Sequence, residues 1–133
     1  MGQNGSVGLA GADMGAAWLL PRLVGLGRAS EILLLGDPVP AEEAARIGLV
    51  NRVVPEDRLA EETAAWARRL ADGAGAGIRE TKRLLQAEQE MEFDAGLEAE
   101  ARGQATLLGA ADHREYHRAF NEKRRPDYRG GGA

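Results

Sequence analysis

Hydrophobic and polar residues follow a helical period through most of the second half of the chain. Leu59, Thr63, Trp66 and Leu70 recur at spacings of four, three and four, which lays one apolar stripe along a helix and leaves Glu61, Glu62, Arg68 and Arg69 largely off it. Phe93, Leu97, Ala101, Ala105 and Leu108 repeat that pattern in a later helix. Ile78 to Met91 carries a weaker version, with Leu84, Leu85 and Met91 as its buried positions, behind a flexible Gly73-Ala74-Gly75-Ala76-Gly77 hinge. Asp112 is placed to cap a last helix that runs to about Asn121, after which Pro126 and a glycine tail end regular structure.

The first half reads differently. Met1 to Ser6 is polar and glycine-rich without periodicity, so it is a loose start. Asp13 stands before the apolar run Met14 to Leu20 as an N-cap, and Pro21 stops or kinks the short helix that begins there. Arg28 to Leu35 forms a second helix closed by Gly36, and Ala41 to Ile47 a third closed by Gly48, each glycine standing where a left-handed cap is wanted. Between Gly48 and Pro55 the β-branched segment Leu49 to Val54 predicts one short strand. A lone strand cannot satisfy its own hydrogen-bond ladder, so its partners must come from another segment or another subunit.

Composition narrows the function classes. With 133 residues the chain is sized for one domain or part of one, and 44% hydrophobic with 29% charged residues is ordinary for a globular protein. There is no cysteine, and two histidines four residues apart are thin material for a metal site, so neither a disulfide framework nor metal chemistry is expected. No apolar run approaches the ~18–20 residues of a membrane span, and the start lacks the order of a signal peptide, which predicts a cytoplasmic protein. The net charge of −4 gives no pull toward nucleic acid, and the basic cluster Lys123-Arg124-Arg125 has no interleaved aromatics.

Three segments in order resemble the enoyl-CoA hydratase/isomerase (crotonase) family. They are GLAGADMGAAWLLPRLVG at 8–25, RASEILLLGDPVPAEEAARIGLVNRVVP at 28–55 and AFNEKRRPDY at 119–128, with the Thr81-Lys82 helix between the last two. The resemblance implies a mostly α chain, the C-terminal part of the α/β crotonase spiral: residues 7–55 as the end of the core, 56–129 as a helical oligomerisation region and 130–133 as a disordered tail. It also implies an acyl-CoA thioester as substrate, with coenzyme A entering as part of that substrate and no separate cofactor. Assembly into a homotrimer or hexamer, or onto a full-length relative, is expected with it. The family polarises the thioester with two backbone N–H groups, and both come from an N-terminal half that these residues do not resemble. The chain alone is therefore expected to be inactive, and the alternative reading is a non-catalytic assembly module.

On this resemblance Asp13, in GADMG, matches the aspartate that serves as a proton-transfer base in dienoyl-CoA isomerases and as a nucleophile in haloaromatic-CoA dehalogenases; on the residues alone it is a helix cap. The hydratase glutamate about eight residues earlier falls on Gly5, so the water-activating pair is incomplete. Phe120 and Lys123 match a pair that contacts the adenine and phosphate end of CoA on a neighbouring subunit, whereas the bland reading is a last core aromatic and one charge of a basic tail. Arg124 and Arg125 would add phosphate attraction. Trp66 is a core residue, Trp18 is core or lines an acyl pocket, Arg22 is an ion-pair former, and His113 and His117 are surface residues. Glu31 and Glu42 lie on solvated helix faces.

Overall fold

The computed structural model describes residues 9–130. The loose start, the Gly5 position and residues 131–133 of the expected tail lie outside the described residues. Those described fall into two compact units that divide after Arg58.

In the first unit, α1 spans Ala16–Leu35 and α2 spans Ala41–Arg46, with a 3-10 turn later at Glu56–Arg58. The two short helices predicted for 14–20 and 28–35 form one element, because Pro21 is carried inside α1 and does not end it. The Arg22 guanidinium donates to the Trp18 carbonyl at 2.9 Å in this turn, where Pro21 has no N–H to give. The break falls instead at Gly25, whose φ of 79° and ψ of 158° belong to a region that essentially only glycine enters. Both glycine stops stand where the sequence puts them. Gly36 (φ 74°) returns its N–H to the Ile32 carbonyl at 3.1 Å. At α2 the Gly48 N–H reaches Ala45 at 3.2 Å and the Leu49 N–H reaches Ala44 at 2.8 Å, the paired bonds of a Schellman cap.

The predicted strand does not form, and no strand exists among the described residues. Leu49 and Val50 both donate to the Ala44 carbonyl, so the β-branched segment begins by closing α2 rather than by entering a ladder. Residues 51–54 then run on without a neighbouring strand, and β propensity alone cannot make a sheet.

The second unit contains α3 (Leu59–Ala71), α4 (Gly75–Ala87), a 3-10 turn at Glu88–Glu90, α5 (Phe93–Leu108) and α6 (Ala111–Asn121). A last 3-10 turn at Tyr128–Gly130 lies past Pro126, where the sequence predicts no regular structure. The glycine hinge is shorter than its pattern suggests, since Gly75 to Gly77 already belong to α4. Helix α4 is the centre of this unit and packs against α3, α5 and α6. Asp112 is buried, but it does not cap its own helix: its carboxylate accepts from the Ala76 N–H at 3.0 Å and so caps α4 from 36 positions away.

Side-chain size sorts the second unit's surfaces. The residues of α5 buried within the chain are Gly96, Ala99 and Gly103. A Cβ at Gly103 would come 2.6 Å from a Glu80 carboxylate oxygen, so glycine leaves room here for the Glu80 side chain between α4 and α5. The apolar residues Phe93, Leu97 and Leu108 are not among these and are 81%, 55% and 63% exposed. In α3, Leu59, Trp66 and Leu70 are also exposed, and no residue of that helix is buried. The buried hydrophobics among the described residues are all alanines, Ala29, Ala44, Ala99 and Ala119. Trp18 and Trp66 are thus not core residues, contrary to the expectation from their apolar runs. No helix among the described residues is long and apolar enough to cross a membrane.

Candidate functional site

Asp13 sits in a turn that the sequence does not foresee. The residue that precedes α1 is Gly15, in left-handed conformation and without any side-chain cap, so Asp13 is not an N-cap. It stands two residues earlier. Met14 (φ 49°) and Gly15 (φ 86°) are both left-handed, which turns the chain sharply between Asp13 and the helix. The Asp13 carbonyl accepts the Ala16 N–H at 2.9 Å, while its carboxylate accepts the Met14 N–H at 2.6 Å. The carboxylate is thereby oriented by one backbone donor and remains exposed to whatever lies in front of the helix. Two residues before it, Gly11 lies so close to the Leu33 carbonyl that no side chain fits, which presses this loop onto the second half of α1.

Among the described residues Arg22 has no carboxylate partner. Its guanidinium lies 3.8 Å over the Trp18 ring, a cation–π contact that holds an exposed indole in place one turn into α1. Glu31 pairs with Arg28 at 2.9 Å, and both are exposed, so this is a solvated helix face as predicted.

Phe120 and Lys123 lie one helical turn apart where α6 ends. Phe120 is 69% exposed, which rules out a last core residue, and its ring stacks beside Tyr116 with centroids 6.3 Å apart. Lys123 is left-handed, with φ 52°. Its N–H bonds the Phe120 carbonyl at 3.2 Å and the Arg124 N–H bonds the Ala119 carbonyl at 3.0 Å, so α6 closes with the same Schellman geometry as α2. At α2 the left-handed position is glycine. At α6 it is a lysine, for which that conformation costs ~1–2 kcal/mol.

The basic run beyond it is not uniform. Arg124 is consumed by acids, with contacts of 2.6 Å to Glu115 and 2.6 Å to Glu122. Arg124 therefore adds little to phosphate attraction, contrary to the expectation for the run as a block, whereas no carboxylate of the described residues is paired with Lys123 or Arg125. Glu115, with its side chain 15% exposed, also accepts the Asp127 N–H at 2.9 Å. The Arg124 guanidinium, helped by that N–H, holds the Glu115 carboxyl down to about 2 from the ordinary 4.5. A carboxyl depressed in the fold stabilises it fully above its ordinary value, and that contribution is lost as the pH falls from about 4.5 toward about 2. Following the Glu115 side chain by NMR should give a midpoint near the lower figure; a midpoint at the ordinary value would show the grip absent in solution.

Sequence reasoning misses Glu115, because a partner nine positions along lies at no helical spacing. His113 and His117 do meet, with ring nitrogens 3.2 Å apart and planes at 89°. No group of three or more His, Asp or Glu that could hold a metal occurs among the described residues. Asp13 lies in the first unit and Phe120, Lys123 and Glu115 in the second.

The lysine at the left-handed cap also bears on stability. Lys123→Gly should raise the melting temperature by a few degrees, since relief of the left-handed strain contributes ~1 kcal/mol. Circular dichroism melts of the two chains check this, and an unchanged or lower melting temperature would mean the strain is absent.

The chain belongs to the enoyl-CoA hydratase/isomerase family, whose model matches residues 2–131. A probable enoyl-CoA hydratase of Mycobacterium tuberculosis is 41% identical over 121 residues, which cover 90% of this chain and 42% of that protein. The 1,2-epoxyphenylacetyl-CoA isomerase of Escherichia coli is 35% identical over 118 residues, 89% of this chain and 45% of that one. Among solved structures, a candidate enoyl-CoA hydratase from Streptomyces coelicolor superposes with a TM-score of 0.90 at 50% identity, over 95% of this chain and 46% of that chain. The chain spans less than half the length of these relatives. The helical fold expected for the C-terminal part of the family fold is the one found.

Proposed function

We propose that this chain acts as the C-terminal part of an enzyme that processes an acyl-CoA thioester. Asp13 is its acid/base or nucleophilic group, and Phe120 with Lys123 holds the adenine and phosphate end of coenzyme A. No cofactor is needed beyond the coenzyme A of the substrate. The observation that carries this reading is the end of α6: an exposed aromatic face and an ammonium without a carboxylate partner among the described residues stand one turn apart, the ammonium on a residue kept left-handed at an energetic cost. An aromatic face stacks on a purine, and an ammonium meets a phosphate as a point charge. Asp13 supports the reading independently, since its carboxylate is fixed by one N–H and otherwise open. The relatives include one protein named as a hydratase and one named as an isomerase, so the chemistry at the acyl end stays at the level of thioester processing.

The exposed stripes of α3 and α5 favour assembly, and we place the working form in a trimer or hexamer built through them. A non-catalytic module that docks onto such trimers shares these stripes but needs neither Asp13 nor the α6 pair.

The test is titration of the chain with CoA, monitored by amide NMR. Phe120→Ala should weaken binding by about 5- to 150-fold, because stacking a base on an aromatic side chain is worth ~1–3 kcal/mol. Equal affinity in that variant would remove Phe120 from the site.

A further inference from the structure

We propose that Glu115 is a positioning residue for coenzyme A, because its carboxylate grips Arg124 and the Asp127 N–H and so fixes the turn on which the Lys123 ammonium stands. This rests on Lys123 meeting a phosphate of coenzyme A, and the two fail separately in the experiment below.

The geometry has three parts. Glu115 lies in the second turn of α6, and the chain beyond the helix doubles back over it: Arg124 Nη1 reaches one carboxylate oxygen at 2.6 Å and Nη2 the other at 3.3 Å, while the Asp127 N–H reaches the first at 2.9 Å. A fork from an arginine and a backbone donor on one carboxylate define a direction as well as an attraction. Arg118 adds a weaker contact at 3.8 Å. Second, the segment so held contains Lys123 in the left-handed region, and such a residue persists only where its surroundings over-determine it. The two Schellman bonds do this from the backbone side and Glu115 from the side-chain side. Third, the grip decides which charges face outward. Arg124 is paired with both Glu115 and Glu122, so the run of three bases offers two cations without a carboxylate partner among the described residues, Lys123 and Arg125, on either side of a paired one. A free run would offer three mobile charges of similar reach. The Glu115 carboxyl is held well below its usual range, so the grip persists into mild acid and acts as a fixture.

Four forms of the 133-residue chain decide the matter: wild type, Glu115→Gln, Lys123→Gly and the double variant. Each is titrated with CoA by amide NMR, with circular dichroism recording helix content. Glu115→Gln should weaken CoA binding about fivefold to tenfold at unchanged helix content, the net scale of one hydrogen bond. Lys123→Gly should weaken it at least as much. In the Lys123→Gly background the Glu115 change should then cost nothing further, because the ammonium it positions is gone. Arg124→Gln, which removes the guanidinium fork and leaves Glu115 to accept the Asp127 N–H, should lose part of the affinity in the same way and also serves if Glu115→Gln lowers helix content. Wild-type affinity in Glu115→Gln, or a full loss repeated in the Lys123→Gly background, would overturn the positioning role while leaving Lys123 in place. Unchanged affinity in Lys123→Gly, or a wild-type chain that does not bind CoA, would overturn the role of Lys123 and the positioning role with it.

Discussion

Leu97→Asp should disperse the assembly proposed through α5 and leave its helices intact. The expectation follows from which face of α5 the chain keeps for itself. Its buried positions are Gly96, Ala99 and Gly103, whereas Leu97 is 55% exposed, one turn from the exposed Phe93 and about three turns from the exposed Leu108. A charge at Leu97 therefore meets water in the separate chain and costs the fold little. In an assembly the same charge is buried once per subunit, and each leucine removed from the interface forgoes ~1.5–3 kcal/mol before the desolvation of the carboxylate is counted. Symmetry multiplies the effect, because every copy of the interface carries the substitution. Ala99→Asp is the contrasting case: at 5% exposure it should unfold the unit. Sedimentation velocity with circular dichroism separates loss of assembly from loss of helix, and a wild-type chain that stays a folded monomer at tens of micromolar would refute the assembly.

That contrast also shows what a single chain's sequence can and cannot reveal. The stripe Phe93, Leu97, Leu108 is legible as apolar periodicity, and the helix it predicts spans Phe93–Leu108 as expected. Periodicity does not say against what a stripe is buried. Here the buried positions of α5 are glycine and alanine, which carry almost no hydrophobic signal. The ends of α1 and α2 are legible at Gly36 and Gly48 because one residue type dominates the left-handed cap. The same cap at Lys123 is invisible because a lysine occupies it. Leu49 to Val54 looks like a strand from composition, but a strand is a property of two segments, and its first two N–H groups are committed to Ala44. Asp112 is legible as a cap but not as the cap of α4, since that pairing depends on tertiary structure.

Asp13→Asn should separate charge from structure at the candidate catalytic position. The bond the structure gives the side chain is acceptance of the Met14 N–H at 2.6 Å, and an asparagine oxygen can accept the same bond. The turn through Met14 and Gly15 depends on backbone conformation and on the Asp13 carbonyl, neither of which the substitution alters. Asp13 is exposed and caps no helix, so the change in stability should stay within about ±0.5 kcal/mol. Chemistry has no such tolerance. An amide can neither take a proton from an acyl-CoA nor attack it as a carboxylate does, so a working Asp13 predicts a fall of ~100-fold or more in turnover. The measurement needs the thioester-polarising donors, so the segment is joined to the N-terminal half of a family enzyme and assayed against a panel of acyl-CoA thioesters. A large fall at an unchanged melting temperature makes the carboxylate chemical. Turnover equal to that of the parent would leave Asp13 as a residue that shapes the turn before α1 and nothing more, and would shift the balance toward the assembly module.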